Sequence, residues 1–281
     1  MDDGIPTRYS STHMTTTAAG KIRIGIGGWT YEPWRGAFYP DKLPHRRELE
    51  YASRQLTSIE INGTFYGLQK PETFAKWRDE TPEGFVFSLK APRFTTNRKV
   101  LGSAGDSIAK FLASGVMELK DKLGPINWQL APTKAFDAGD FEAFLTLLPK
   151  KSEGRVLHHA VEARHESFRC EEFIALLRKH GVAVVLAGDS RYPQIADATA
   201  SFIYARIMGT KESEKFGYSK QSLDLWAGRA RAWATGAASI GLDRVEPRAA
   251  DGHARDVYLY VISGDKVRNP AAAMSLLQRI E

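Results

Sequence analysis

Ser58-Ile59-Glu60-Ile61-Asn62 reads as a short β-strand in which β-branched residues alternate with polar ones and whose far end carries a carboxylate and an amide. The same construction returns in Phe85-Val86-Phe87-Ser88-Leu89-Lys90, in Ala160-Val161-Glu162-Ala163-Arg164-His165 and in Val184-Val185-Leu186-Ala187-Gly188-Asp189. Phe202-Ile203-Tyr204-Ala205-Arg206 and the run from Tyr258 to Asp265 repeat it. Burying a charge costs several kcal/mol unless the charge is paired or used. One such run fits an edge strand, whereas six at regular intervals predict strands converging on one polar mouth. Parallel α/β proteins keep their sites at that end of the sheet.

Working outward, strand-like runs fall near 21–27, 58–62, 85–90, 126–130, 158–163, 183–188, 202–208 and 256–263. Between them apolar residues recur at helical spacing: Ile108, Phe111 and Leu112; Phe141, Phe144, Leu145 and Leu148; Phe173, Leu176 and Leu177; Leu223, Trp226, Ala230 and Trp233. Phe74 and Trp77 mark a shorter helix. The last helix is expected to open on Asn269 as N-cap with Pro270 at its first position. Eight strands, most followed by a helix, predict a single-domain (β/α)8 TIM-type barrel over residues 21–281. A doubly wound open sheet is the rival, but it more often uses fewer strands. Ser190 to Ala200 is too short and polar for a full helix, and 236–255 reads as a long surface loop. Residues 1–20, rich in Ser and Thr and without an apolar run, are expected to be a disordered N-terminal tail.

The composition bounds the partners. Of 281 residues, 43% are hydrophobic and 26% charged, an ordinary globular balance. The formal net charge of +6 makes anionic partners plausible, yet 39 basic residues are interspersed with 33 acidic ones. A nucleic-acid protein would more often carry a basic stripe. A single cysteine, Cys170, rules out an internal disulfide framework and fits a reducing, cytoplasmic setting. No run approaches the length of a membrane span, so no membrane partner is expected. The oligomeric state stays open.

Gly25-Ile26-Gly27-Gly28 imitates a dinucleotide loop, but Thr30 stands where the third glycine belongs, and no cofactor is expected. From Trp29 to Pro40, five of the residues are aromatic. Such a loop packs over the barrel as a lid, or else offers Trp29 and Tyr31 as stacking walls for a sugar ring or base. Period two puts Glu60 and Asn62 on one face of their strand, and Glu162 and Arg164 on one face of theirs, with His165 opening the loop. An acid beside a guanidinium suits anion binding and proton transfer. The alternative is structural: Glu60 bridged to Lys90 or Arg206, and Asp189 to Arg206. Lys90, Arg164 and Arg206 would repel a cation at such a mouth, so no metal is expected.

Gly27-Gly28-Trp29-Thr30-Tyr31, Trp34-Arg35-Gly36-Ala37-Phe38-Tyr39-Pro40 and Glu60-Ile61-Asn62-Gly63-Thr64-Phe65-Tyr66 resemble the signature of the YecE-like family, domain of unknown function 72. Trp77, Thr81-Pro82, Phe85 to Lys90, Val161-Glu162-Ala163-Arg164-His165-Glu166-Ser167, Asp189 and Tyr204-Ala205-Arg206 continue it in order. The resemblance spans most of 21–280 and implies a TIM-type barrel, with no settled reaction. The chain departs from that pattern at Gly63, where the family usually has Ser. It also departs at Met208-Gly209, which replaces a His after the seventh-strand Arg-Leu pair, and at Ser263-Gly264-Asp265, which replaces Asn-Asn-Asp. It therefore resembles a divergent member.

The expectation is a mixed-charge pocket that binds or acts on a small polar anion, phosphorylated or acidic and sugar-like. Glu60, Glu162 and Asp189 are the candidate acid–base groups. Trp29, Tyr31, Asn62, Tyr66, Lys90, Arg164, His165 and Arg206 are the candidate ligand contacts. A nucleic-acid-processing or nucleic-acid-binding barrel and a non-catalytic ligand-binding protein are the alternatives.

Overall fold

The computed structural model describes residues 18–237, 241–246 and 251–281. Eight strands alternate in period two between a helix-facing and a barrel-facing side: β1 (Ile22–Gly27), β2 (Ser58–Ile61), β3 (Val86–Lys90), β4 (Leu123–Gln129), β5 (His159–Glu162), β6 (Ala183–Gly188), β7 (Phe202–Ile207) and β8 (Asp256–Val261). They close into one parallel barrel in chain order, with β8 pairing back onto β1. The outward side chains, among them Ile24, Ile59, Phe87, Trp128, Leu186 and Leu259, are fully or almost fully buried against the helices. Burial stabilises each such aliphatic side chain by about 1.5–3 kcal/mol, so this shell holds the barrel shut. At Gly25 a Cβ would stand 1.9 Å from the Ser58 carbonyl oxygen, so the approach of β1 to β2 requires glycine there.

The surrounding helices are α1 (Glu48–Gln55), α2 (Pro71–Asp79), α3 (Gly105–Leu112), α4 (Ala138–Leu147), α5 (Glu171–His180), α6 (Lys220–Ala234) and α7 (Asn269–Ile280). Their ends follow local chemistry. Asp137 caps α4 by accepting from the Asp140 amide, and Ser219 caps α6 by accepting from the Ser222 amide. Gly181 ends α5 in the left-handed region at φ +68°. Single helical turns, Gly63–Tyr66 and Arg93–Thr96, sit at the C-terminal ends of β2 and β3. As its polarity predicts, 189–201 carries no helix.

Three readings of the sequence shift. β4 starts at Leu123, ahead of the expected 126, because Pro125 is tolerated where the β3–β4 register slips between Phe87 and Leu89. A two-residue hairpin pairs Lys151–Ser152 with Arg155–Val156 through Glu153 and Gly154, both at positive φ. Asn269 is the first residue of α7 and not its cap, and its side-chain oxygen accepts from the Thr210 hydroxyl instead. Most of the expected tail, residues 1–17, and parts of the 236–255 segment lie outside the described residues. Gly20 is docked, its amide donating to the Ala234 carbonyl.

Inside the barrel, Val86, Ala160, Ala183, Val185, Phe202, Tyr204, Tyr258 and Tyr260 form an apolar and phenolic plug. Glu60, Lys90, Glu162 and Arg206 lie toward the C-terminal ends of their strands, beyond that plug, while Arg23 and Asp256 pair at the N-terminal end.

Candidate functional site

Arg206, the penultimate residue of β7, is 2% exposed and stands between two carboxylates that are 0% exposed. Its Nη2 donates to Glu60 Oε1 at 3.0 Å and its Nη1 to Glu162 Oε2 at 2.6 Å. Each carboxylate takes further donors. The Tyr204 hydroxyl donates to Glu60 Oε2 at 2.6 Å, and Asn127 Nδ2 to Glu162 Oε2 at 3.3 Å. Arg164 closes on Glu162 Oε1 through Nε and Nη2, both at 2.7 Å. Burial alone would push Glu162 upward, but Arg206, Arg164 and Lys90 more than offset it and hold the carboxyl down at about 2. Burial would lower the Arg206 guanidinium, but Glu162 and Glu60 raise it above its ordinary value. Burial, reinforced by Glu60, pushes the Tyr204 phenol well above its usual range, so it remains a donor.

Lys90, the last residue of β3, completes the group and is 7% exposed. Its Nζ lies 4.0 Å from the centre of the Phe65 ring. Among the described residues no carboxylate pairs with it and no acceptor receives a hydrogen from it. Burial pushes the ammonium down to about 8; Arg206 adds to that, while Glu60 and Glu162 partly oppose it. The register explains the convergence: Lys90 pairs with Asn127, Gln129 with Glu162, Glu60 with Ser88, and Arg206 with both Ala187 and Tyr260. Inward positions on adjacent strands thus fall at neighbouring heights.

The floor beneath is neutral. The Tyr260 hydroxyl sits 2.7 Å from Ser58 Oγ and 2.6 Å from Ser88 Oγ, and Ser58 donates to the Val86 carbonyl. Three buried polar atoms of the mouth have no hydrogen-bond partner among the described residues: the Asn127 and Gln129 side-chain oxygens and Arg206 Nε.

The structure brings together Glu60, Glu162, Lys90, Arg164 and Arg206, and sets Asn62 at their edge. Asn62 Nδ2 would lie 2.6 Å from a Cβ on Gly27, beside Ile262 at the rim. Tyr66 is 70% exposed on the single turn after β2, with the Arg93 guanidinium over its ring. Other expected residues go elsewhere. Asp189, at φ +54°, accepts from the Trp226 indole of α6 at 2.9 Å and so faces the helix layer; it does not pair with Arg206. Trp29 packs edge-on against Trp77 of α2 and beside Phe87, also in the helix layer. Tyr31 packs on Trp34, with Lys266 Nζ 4.0 Å above its ring. His165 Nδ1 lies 2.8 Å from Ser167 Oγ and accepts from the Ser167 amide, which caps a single 3-10 turn. The aromatic loop is therefore mainly a packed cover.

Sequence reading missed Asn127, Gln129 and Tyr192. The first two had a signal, since Asn127 and Gln129 alternate with Ile126 and Trp128 in period two. Tyr192, whose ring lies 4.3 Å from the Arg164 guanidinium, comes from a loop with no periodicity to read.

Among the described residues no group of three His, Cys, Asp or Glu stands as a metal cage would, and no helix is long and apolar enough to cross a membrane. A groove of about 540 Å³ opens at the opposite, N-terminal end, lined in part by Lys150, His158, His159 and His180. His159 is structural there: Nδ1 accepts from the Trp128 indole, Nε2 donates to the Pro149 carbonyl, and burial pushes it down to about 4. The charge cluster is at the end where barrel chemistry is placed, so that end carries the functional reading.

Comparison with known proteins agrees with this architecture. The family model described as "Protein of unknown function DUF72" matches residues 23–281. The UPF0759 protein YecE of Escherichia coli K12 is 30% identical over 150 residues, which is 52% of this chain and 50% of YecE, so the match spans half of that relative's length. The UPF0759 protein YunF of Bacillus subtilis 168 is 34% identical over 70 residues, 25% of this chain and 24% of YunF. The crystal structure of a DUF72 family protein from Thermotoga maritima MSB8 superposes with a TM-score of 0.68 at 20% identity, covering 92% of this chain and 97% of that one. One from Enterococcus faecalis V583 gives 0.67 at 16% identity, covering 92% and 95%.

Proposed function

The chain belongs to the DUF72 family of proteins of unknown function, and from that premise we propose that its barrel mouth binds a small polar anion, phosphorylated or acidic and sugar-like, and acts on it by acid–base chemistry in the cytoplasm. The observation that carries this reading is the unequal pairing of the charges. Glu60 and Glu162 are each held by guanidinium groups, while the Lys90 ammonium has no oxygen partner among the described residues. Three cations face two carboxylates, and the surplus positive charge sits on the least engaged of them. The unpartnered oxygens of Asn127 and Gln129 suit the hydroxyl donors of a polyol. Tyr66 offers an exposed ring for one face of the ligand.

Roles follow from the pairings. Lys90 binds the anion, and its value of about 8 lets it exchange a proton near neutral pH. Glu162, held at about 2, stays ionised and stabilises positive charge opposite it. Arg206 and Arg164 fix both carboxylates in place.

The test is ligand-dependent thermal stabilisation of the purified protein by inorganic phosphate, glucose 6-phosphate and glucuronate, with glucose as the neutral control. The anions should raise the melting temperature, by an amount corresponding to about 2.7 kcal/mol at a hundredfold excess over Kd, and Lys90→Met should abolish the effect. Equal responses to glucose and the anions, or a full response in Lys90→Met, would overturn the reading. Binding without turnover across such a panel would leave a non-catalytic binding protein.

A further inference from the structure

We propose that Lys90 is a covalent catalyst: its Nζ forms an imine with the carbonyl carbon of an open-chain carbonyl acid bound in the mouth. This rests on the anion reading above and narrows its substrate to acids whose carbonyl lies next to the anionic group.

The geometry supports it in four ways. An amine reacts as the neutral base, and a lysine tied into an ion pair is held as the ammonium. Among the described residues Lys90 has no such pair, although two carboxylates share its mouth, because Arg206 and Arg164 engage both. Its chain is almost fully buried, so desolvation opposes the charged form; the Phe65 ring, 4.0 Å from Nζ, fixes the nitrogen's position, although its π face favours the ammonium in part. The backbone is pinned as well: the Lys90 carbonyl accepts from the Thr64 hydroxyl at 2.7 Å, and Lys90 lies in register with Asn127. Burial holds the amine at about 8, so a useful fraction is neutral near physiological pH.

The step balances with water alone. The neutral Nζ donates its lone pair to the carbonyl carbon as the carbonyl π pair moves to oxygen. One N–H proton transfers to that oxygen, giving the carbinolamine. Loss of the hydroxyl with one proton from solvent, as water, leaves the protonated imine, and hydrolysis reverses the sequence. The iminium carries the positive charge of the proton taken up from solvent as water leaves, so the neighbouring anionic group of the ligand meets a cation after bond formation. Glu162, ionised nearby, stabilises the same charge from the other side. The unpartnered Asn127 and Gln129 oxygens accept from the hydroxyl of the carbinolamine or of the ligand chain.

The experiment is reductive trapping on the intact protein with pyruvate and sodium cyanoborohydride at neutral pH, followed by peptide mapping. Lactate, which lacks the carbonyl, serves as the matched anion, and melting temperatures with either probe are recorded without reductant. The expected result is one carboxyethyl group on the peptide bearing Lys90, formed on the order of tenfold faster than on exposed lysines and slowed by excess lactate. Lys266, half-buried over Tyr31 and Trp34, is the internal comparison and should be modified more slowly. The variant Lys90→Arg keeps the charge but cannot form the imine; it should lose trapping while lactate still raises its melting temperature. No addition at Lys90, or addition at Lys90 and exposed lysines at equal rates, overturns the inference. If lactate and pyruvate both stabilise the protein but nothing is trapped at Lys90, the imine falls and the anion site stands. If neither stabilises it and nothing is trapped, both fall.

Discussion

Replacing Arg206 with leucine tests whether the two buried carboxylates depend on this guanidinium. The structure makes the two losses unequal. Glu162 would keep both contacts from Arg164 at 2.7 Å and the amide of Asn127. Glu60 would keep only the Tyr204 hydroxyl and would stand as a charge with no cation bonded to it at a site with no exposure. Breaking a buried ion pair from one side costs about 3–5 kcal/mol, and Arg206→Leu should fall in that range. For a chain of this length that corresponds to a drop in melting temperature of about 10 °C. The assay is urea denaturation followed by circular dichroism, run as a double-mutant cycle with Glu60→Gln. The glutamine removes the stranded charge and can still accept from Tyr204. In the Arg206→Leu background it should therefore restore about 2 kcal/mol, whereas alone it should destabilise. An Arg206→Leu protein within about 1 kcal/mol of wild type would refute the argument, as would additive effects of the two substitutions.

Two further outcomes follow from the same cluster. Glu162 titrates below its ordinary range in the folded protein, so its contribution is complete above that range and is lost as pH falls toward about 2. That contribution is on the order of 3 kcal/mol at neutral pH, and melting curves from pH 7 down to 2 should show wild type losing its advantage over Glu162→Gln across that window; parallel curves would refute it. Tyr260→Phe removes the hydroxyl that links Ser58 to Ser88 beneath the mouth, and should cost about 1–2 kcal/mol in urea denaturation without altering anion affinity. A change in affinity larger than the change in stability would show that the floor is part of the binding surface.

The barrel was legible because its two faces carry different chemistry at period two. Ile59 and Ile61 face the helices while Glu60 faces the axis, and that alternation is written in the chain. Closure was legible from the count of strands, and the missing helix after β6 from the polarity of 190–200. The site was half legible for the same reason. Residues within the regular strands, Glu60, Glu162, Lys90 and Arg206, came out together because strand geometry fixes where they point. Residues just past the strand ends did not, because no periodicity governs them. Asp189 ends its run with the same spelling as Lys90, yet a positive φ turns it toward Trp226. His165 looked like chemistry and is spent capping a turn. Trp29 looked like a stacking wall and packs on Trp77, since nothing in the loop's composition says which side of it is covered.

Two of the three departures from the expected family pattern fall on one side of the mouth, whereas Gly63 opens the turn after β2, next to β3. Met208 follows β7, and Ser263-Gly264 follows β8. There the chain binds itself: the Thr210 hydroxyl lies within 2.8–3.0 Å of the Ser263 and Asp265 carbonyls and of the Asn269 side-chain oxygen. Gly264, at φ +95°, leaves no room for a Cβ, which would meet the Thr210 carbonyl oxygen at 2.4 Å. That rim is thus closed on its own backbone. Lys90, Asn127, Gln129 and Glu162 lie on β3, β4 and β5, and there the polar atoms remain unpaired or mobile in charge. Glu60 and Glu162 are saturated by their guanidinium partners and behave as the frame of the mouth. Among the described residues of the mouth, the group that is buried, without an oxygen partner and able to change its charge near neutral pH is Lys90. Holding that lysine in a buried mouth carries a cost in desolvation, so the proposed function is tested most directly at that nitrogen.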